Sequence, residues 1–135
     1  TLTNHGAMRA AGFRIHPSFA VSTTAKTVLW SRKQDGAWQQ VPLANPEAPE
    51  AEKERWLKGD LTPAGEWAIH DGADGLAIVN SFAPDEVAFC YCNWNGAQRR
   101  VNLEQWSQQR PLGPEESLSL SNTYEVLTSD FPWLQ

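Results

Sequence analysis

With 135 residues, 41% of them hydrophobic, the chain has enough apolar material for one compact domain with its own core and little room for a second. A net charge of −5 disfavours nonspecific attachment to a phosphate backbone, although the adjacent Arg99 and Arg100 offer a local cation pair, so nucleic acid is not an expected partner. No stretch approaches the roughly 18 apolar residues of a membrane span, and Thr1 to Arg9 lacks the basic-then-apolar order of a signal peptide, so neither membrane nor export is expected.

Most of the chain punctuates as an all-β protein, with short apolar or alternating runs closed by Gly, Pro, Asn or Asp. The predicted strands are Leu2 to Asn4, Gly12 to Val21, Thr27 to Arg32, Ala37 to Val41, Glu66 to Asp71, Leu76 to Phe82, Glu86 to Cys92, Arg99 to Gln105 and Ser117 to Leu127. Asp35-Gly36 signals a hairpin between the third and fourth of these, and Asp71-Gly72 with Asp74-Gly75 signals another. Antiparallel pairing into a β-sandwich follows.

One segment departs from this pattern. Asn45 to Gly59 is rich in Ala, Glu and Lys; Pro46 or Pro49 suits a first helical turn, Glu47 and Glu50 suit the positive end of the dipole, and Lys58-Gly59 suits the other end. A short helix is predicted near residues 46–58, with Trp56 and Leu57 as a narrow apolar edge laid over a sheet.

Cys90 and Cys92 stand two apart, so in a strand they share a face without the geometry to bridge each other. They are expected to pack as reduced hydrophobes, which favours a reducing compartment. Together with the missing signal, this leads to an expected cytoplasmic location. Each of the seven tryptophans serves core packing better than ligand stacking, with one exception. Trp94 lies in the turn-like Asn93-Trp94-Asn95-Gly96, where a ring is placed for binding rather than packing.

Glu104 falls among the apolar residues of a strand in Val101 to Val126. A carboxylate there is either neutralised by Arg14, Arg99 or Arg100, or retained for chemistry. His70 to Gly75 holds two acids but lacks the spacing and terminal Glu of a calcium loop, and no GxSxG elbow is present. No metal site and no nucleophilic serine are expected.

Four pieces in order along the chain give it a family likeness: Leu2-Thr3-Asn4; Arg14-Ile15-His16-Pro17-Ser18-Phe19; Asn102-Leu103-Glu104; and Leu112-Gly113-Pro114-Glu115 leading to Tyr124-Glu125-Val126. Together they resemble the C-terminal half of the galactose mutarotase-like domain, the supersandwich fold of aldose 1-epimerases. Ser18 stands where the family has an aromatic, Ala20-Val21 where it has Asn-Leu, and Gln105-Trp106 where it has a small residue and Gln. In Gly113-Pro114-Glu115 the glycine of the family's Pro-Gly-Glu turn is displaced by one position, which matters where a turn needs a positive φ.

The resemblance implies a carbohydrate-interacting protein. By position, His16 would be the general acid at the ring oxygen of an aldose and Glu104 the general base at its anomeric hydroxyl, with no cofactor. Arg14 or Arg99 would orient the carboxylate, and Trp94 and Trp106 would line the sugar site. It also implies that a second catalytic-site His and an Arg belong to a first half without counterpart here, since His5 and Arg9 do not match them by position. A half-length supersandwich would expose a broad apolar face, so a small self-closed sandwich or a homodimer is expected. Two alternatives stand beside the enzyme: a non-catalytic carbohydrate-binding module, and an oligomerising structural remnant.

Overall fold

The computed structural model describes residues 1–21, 26–43, 53–95 and 97–135. Its elements are almost all extended. The strands are β1 (Leu2–Thr3), β2 (Arg9–Ala11), β3 (Arg14–Ile15), β4 (Ser18–Ala20), β5 (Thr27–Arg32), β6 (Trp38–Val41), β7 (Glu54–Leu57), β8 (Glu66–Asp71), β9 (Leu76–Phe82), β10 (Val87–Asn95), β11 (Arg100–Ser107), β12 (Arg110–Leu112), β13 (Ser117–Leu118) and β14 (Asn122–Leu127). Two five-stranded antiparallel sheets form a sandwich. The first carries the order β3-β11-β10-β7, with β4 beside β3 on β11; the second runs β14-β9-β8-β5-β6. Two short ribbons, β1 with β13 and β2 with β12, close one end.

Alternation along the long strands decides which face is which. In β10, Cys90, Cys92 and Trp94 point into the sandwich, as do Val101 and Leu103 of β11. From the second sheet Leu29, Trp67, Ile69, Ile78 and Phe82 meet them in a single apolar cluster. Both cysteines are free and buried there, and burial pushes both thiols well above their usual range.

A polar bridge crosses this core. Asn80 and Gln105 are both fully buried; the Asn80 carboxamide oxygen accepts from Trp67 Nε1 at 2.6 Å and from Gln105 Nε2, while its Nδ2 donates to the Thr123 carbonyl at 3.1 Å. These bonds offset most of the cost of burying the groups, while Gln105 Oε1 has no partner among the described residues.

The expected hairpins form. β5 and β6 pair across the Asp35-Gly36 turn, and β8 and β9 across the Asp71 to Gly75 turn, with Gly36 at φ 85° and Gly75 at φ 66°. Two predicted strands are each divided. Pro17, with no N–H to donate, separates β3 from β4, and Ser117 to Leu127 splits between a ribbon and the second sheet.

The predicted helix is the main correction. Asn45 to Ala51, with Pro46, Glu47, Pro49 and Glu50, lies outside the described residues, but Glu54–Leu57 is a strand rather than a helix, and Gly59–Leu61 is a single 3-10 turn. β7 pairs with β10 from Glu54↔Asn93 to Leu57↔Cys90. The edge of β10 offers backbone partners that an isolated helix lacks, Leu57 enters the core, and Trp56 packs on Tyr91 at 4.3 Å between ring centroids. Those tertiary gains outweigh the weak helix preference of Glu, Arg and Leu.

Asn4 anchors the ribbon end. Its side-chain amide donates to the carbonyls of Ala7, Leu112 and Gly113, and its oxygen accepts the Gly6 N–H. The positive φ of the neighbouring turn falls on Glu115, at 60°, and not on Gly113. On the far side, the C-terminal turn Pro132–Leu134 lays Trp133 across the outer face of the second sheet, against Trp30, Trp38 and His70. Among the described residues, no helix is long and apolar enough to cross a membrane.

Candidate functional site

The outer face of the first sheet collects the chemically active side chains. Strand pairing sets them in rows: Arg14 opposite Trp106 and Trp106 opposite Phe89; Glu104 opposite Tyr91 and Tyr91 opposite Trp56; Ser18 opposite Asn102, Asn102 opposite Asn93 and Asn93 opposite Glu54. Residues two apart on one strand share a face, so these rows lie side by side.

Glu104 sits in the middle of β11 rather than at its end. Arg14 Nη1 donates to its Oε2 at 3.1 Å, and His16 Nε2 lies 3.3 Å from its Oε1. The carboxylate side chain is only 2% exposed, while those of Arg14 and His16 are 46% and 38% exposed. Solvent therefore reaches the acid's partners more readily than the acid. Pro17 contributes by letting the chain step from β3 to β4 along the same neighbour, which delivers both Arg14 and His16 to Glu104.

An aromatic wall borders this centre. The Trp106 and Phe89 rings stack with centroids 5.3 Å apart, and the Arg14 guanidinium carbon stands 5.0 Å from the Trp106 centroid. Trp56 leans on Phe89 and Tyr91, and Lys58 Nζ sits 4.4 Å from the Trp56 ring and 4.6 Å from that of Phe89. The Tyr91 hydroxyl donates to Glu54 Oε2 at 2.6 Å; partial burial first, and that bond second, push the phenol above its usual range. A cavity of 160 Å³ opens beside Arg14 and Trp106. At the opposite end a second cavity, of 140 Å³, opens among Asn93, Trp94, Asn95, Arg100 and Asn102.

Of the sequence-derived site residues, His16, Glu104, Arg14 and Trp106 come together on this face. Trp94 does not. β10 runs three residues further than expected, so Trp94 is in a strand, not a loop tip, and its side chain is 5% exposed within the core cluster. Arg99 does not orient Glu104 either: it occupies a turn at φ 49° and directs its guanidinium to Asp74 at 3.7 Å. His5 pairs instead with Glu115 at 3.2 Å in an exposed position.

Sequence reading missed Phe89, Tyr91, Asn93, Asn102, Glu54 and Trp56 as members of the face. The signal for three of them was available: Cys90 and Cys92 facing the core put Phe89, Tyr91 and Asn93 on the other side. Nothing local marked Glu54 and Trp56, since their place depends on β7 joining β10. Among the described residues, no group of three or more His, Cys, Asp or Glu is arranged to hold a metal ion.

No protein-family model matches the chain, and no curated protein matches it. It is similar to the crystal structure of Slr1438, a protein of Synechocystis sp. PCC 6803, with a TM-score of 0.69 at 16% identity. The likeness covers 94% of this chain and 48% of that one, so this chain spans about half the length of the solved structure it matches. That likeness is one of fold.

Proposed function

We propose that the outer face of the first sheet is a carbohydrate site of galactose mutarotase-like type, and that its chemistry is the interconversion of aldose anomers by His16 and Glu104. The observation that carries this is the contact between these two groups, 3.3 Å apart and supplied by segments at opposite ends of the chain, on a face walled by Trp106, Phe89 and Trp56. Aromatic rings suit the apolar face of a sugar, and the paired acid and base suit its hemiacetal.

In the forward step Glu104 takes the proton of the anomeric hydroxyl while protonated His16 delivers one to the ring oxygen. The electron pair of O1 forms the carbonyl as the C1–O5 bond breaks, leaving the open aldehyde. Rotation about C1–C2 presents the other carbonyl face, and the reverse transfers close the ring as the opposite anomer. The two proton sites belong to atoms on one carbon, so a general acid and base this close together suffice. Arg14 holds the carboxylate and, through its stack on Trp106, fixes its orientation.

A second reading keeps the sugar and drops the turnover. Both oxygens of Glu104 are engaged and its side chain is 2% exposed, which suits a structural ion pair at the floor of a binding face better than a base that must reach a substrate.

Polarimetry on freshly dissolved α-glucose and α-galactose separates the two. Acceleration over buffer at micromolar protein, reduced on the order of a hundredfold in Glu104→Gln, supports the enzyme. No acceleration, with saturable tryptophan fluorescence changes on sugar addition, leaves the binding module; a flat response to both sugars rejects the carbohydrate reading. Sedimentation mass, measured alongside, tells whether one chain or two form the active unit.

A further inference from the structure

The outer face of the second sheet is covered by the segment that follows β14. Trp133 lies over a floor of Ala68, Ala77 and Val79, and its ring packs on Trp30 at 6.0 Å and edge-on to Trp38 at 5.2 Å between centroids. Phe131 stacks beside it at 5.7 Å and leans on His70 at 4.5 Å. Small residues at 68 and 77 make a trough in the sheet surface, and the indole fills it: Trp133 is 7% exposed and both alanines are fully buried.

Side chains alone hold this segment down. Among the described residues the backbone of 129–135 makes no hydrogen bond to the sheet: the Leu134 N–H turns back to the Phe131 carbonyl at 3.0 Å, and the Ser129 hydroxyl donates to Asp130 Oδ2 at 3.0 Å. The polar link to the sheet is the donation from Trp133 Nε1 to His70 Nδ1 at 3.4 Å. The hinge consists of three exposed residues, Thr128, Ser129 and Asp130, and Asp130 holds φ at 55°. Aspartate enters that left-handed region more readily than most residues but still at a cost that glycine does not bear, so closing the segment over its own sheet strains the hinge.

We propose that this trough is an interface between two copies of the chain, each seating Phe131 and Trp133 of the other by exchange of the segment after β14. Exchange keeps every contact between the rings and the trough and changes only the hinge. A short hinge under strain favours it, because opening relieves the strain once in each copy. The reach is sufficient: the six steps from Leu127 to Trp133 span about 20 Å when extended. Three strand spacings, roughly 14 Å, separate β14 from β5 in the sheet that the segment crosses. β14 is the end strand of that sheet and its Val126 is 64% exposed, so a second copy meets the hinge at an open, partly apolar edge. This interface is independent of the carbohydrate reading, since it lies on the other sheet.

Sedimentation from micromolar to millimolar concentration tests this on the native chain, Asp130→Pro, Asp130→Gly and Trp133→Ala. The native chain is expected to dimerise reversibly toward the upper end of that range. Proline does not adopt a φ of 55°, so Asp130→Pro holds the hinge open and is expected to be the more strongly dimeric, with tryptophan emission as blue as the native chain's because Trp133 stays buried. Glycine takes the closed hinge without strain, so Asp130→Gly is expected to dimerise about tenfold more weakly than the native chain. Trp133→Ala removes the anchor and is expected to stay monomeric. A dimer that survives Trp133→Ala overturns the exchange, as does Asp130→Pro that stays monomeric with red-shifted emission, its segment released rather than exchanged. Because the hinge is exposed and lies outside both sheets, its variants are expected to fold, and a cooperative thermal transition in each verifies it.

Discussion

The Arg14 guanidinium carbon stands 5.0 Å from the centroid of Trp106, directly opposite it across β3 and β11, while the same group donates to Glu104 at 3.1 Å. The ring thus seats the cation and the cation seats the acid. A lysine at this position keeps the charge but loses the planar stack and the fork, so Arg14→Lys is expected to destabilise by about 1 kcal/mol. Arg14→Met leaves a nearly enclosed carboxylate with His16 alone and is expected to cost about 1–3 kcal/mol, held toward the lower end because Arg14 is half exposed and solvent screens the pair. Combined with Glu104→Gln, it should show a coupling of about 1 kcal/mol by urea denaturation. Strict additivity would mean that the contact contributes nothing of its own.

Asn80 makes three hydrogen bonds, buried ones to Trp67 and Gln105 and a part-buried one to Thr123. Replacing it with Leu, which has a similarly branched shape and no polar atoms, strands the Trp67 N–H and the Gln105 amide in the core and removes a donor from the carbonyl of the exposed Thr123. The expected loss is about 2–4 kcal/mol, read as a lowered denaturation midpoint at unchanged m-value. Asn80→Leu together with Gln105→Leu and Trp67→Phe should recover part of it, since an apolar set leaves no group unpaired. A loss under about 0.5 kcal/mol for the single change would show that the sheets do not depend on this bridge.

Glu115 holds φ at 60° in the turn that Asn4 clasps, a conformation costing an ordinary L-residue about 1 kcal/mol. Its exposed pairing with His5 offers little in return. Glu115→Gly is therefore expected to raise stability by up to about 1 kcal/mol, while Glu115→Ala, which keeps the strain and loses the pair, does not. Thermal unfolding of the two variants side by side decides it. Equal melting temperatures would place the cost elsewhere.

These residues also show what local sequence carries. The β5–β6 and β8–β9 hairpins follow from Asp-Gly pairs between alternating runs, because turn chemistry and strand alternation are short-range properties. His16 and Glu104 were legible as partners only through comparison of motifs, since no local rule joins segments so far apart. Glu54 to Leu57 was misread because a strand added at an edge is decided by its neighbour: β10 supplies the partners, and the residues themselves lean weakly toward helix. Trp94 was placed in a loop tip because Asn93 and Asn95 resemble turn residues, although in β10 they lie on the outer face while the Trp94 ring joins the core cluster. Arg99 was misassigned for a related reason, as charge alone does not say which way a turn points.

Cys90 and Cys92 have fully buried sulfurs whose thiols burial holds well above the usual range, and neither faces the outer side of β10. The thiolate is the reactive form, so both should resist an aromatic disulfide reagent at pH 8 in the native state. Two equivalents should titrate promptly in denaturant. Rapid labelling of either thiol without denaturant would show that the sandwich opens at β10 under native conditions.

His70 links stability to pH through the C-terminal turn. Its ring lies 4.5 Å from that of Phe131, and its Nδ1 accepts the Trp133 Nε1 hydrogen at 3.4 Å, a role open only to the neutral imidazole. Burial lowers its pKa below the usual 6.5, and the neighbouring Asp71 opposes that only in part. In the unfolded chain His70 binds a proton as pH falls through about 6.5, whereas in the folded protein it does so only at a lower pH. Between those two values the unfolded state holds more protons, so stability decreases as pH falls through that window and is fully retained above it. His70→Gln, which has no proton to gain there, should flatten this segment of the stability profile, and Trp133 fluorescence in the native chain should change across the same window as the turn loses its acceptor. Urea denaturation at pH 5 and pH 8 on both proteins checks the sign. A stability difference between the two pH values no larger in the native chain than in His70→Gln would show that the turn is held by its aromatic packing on Trp30 and Trp38 and not by the imidazole.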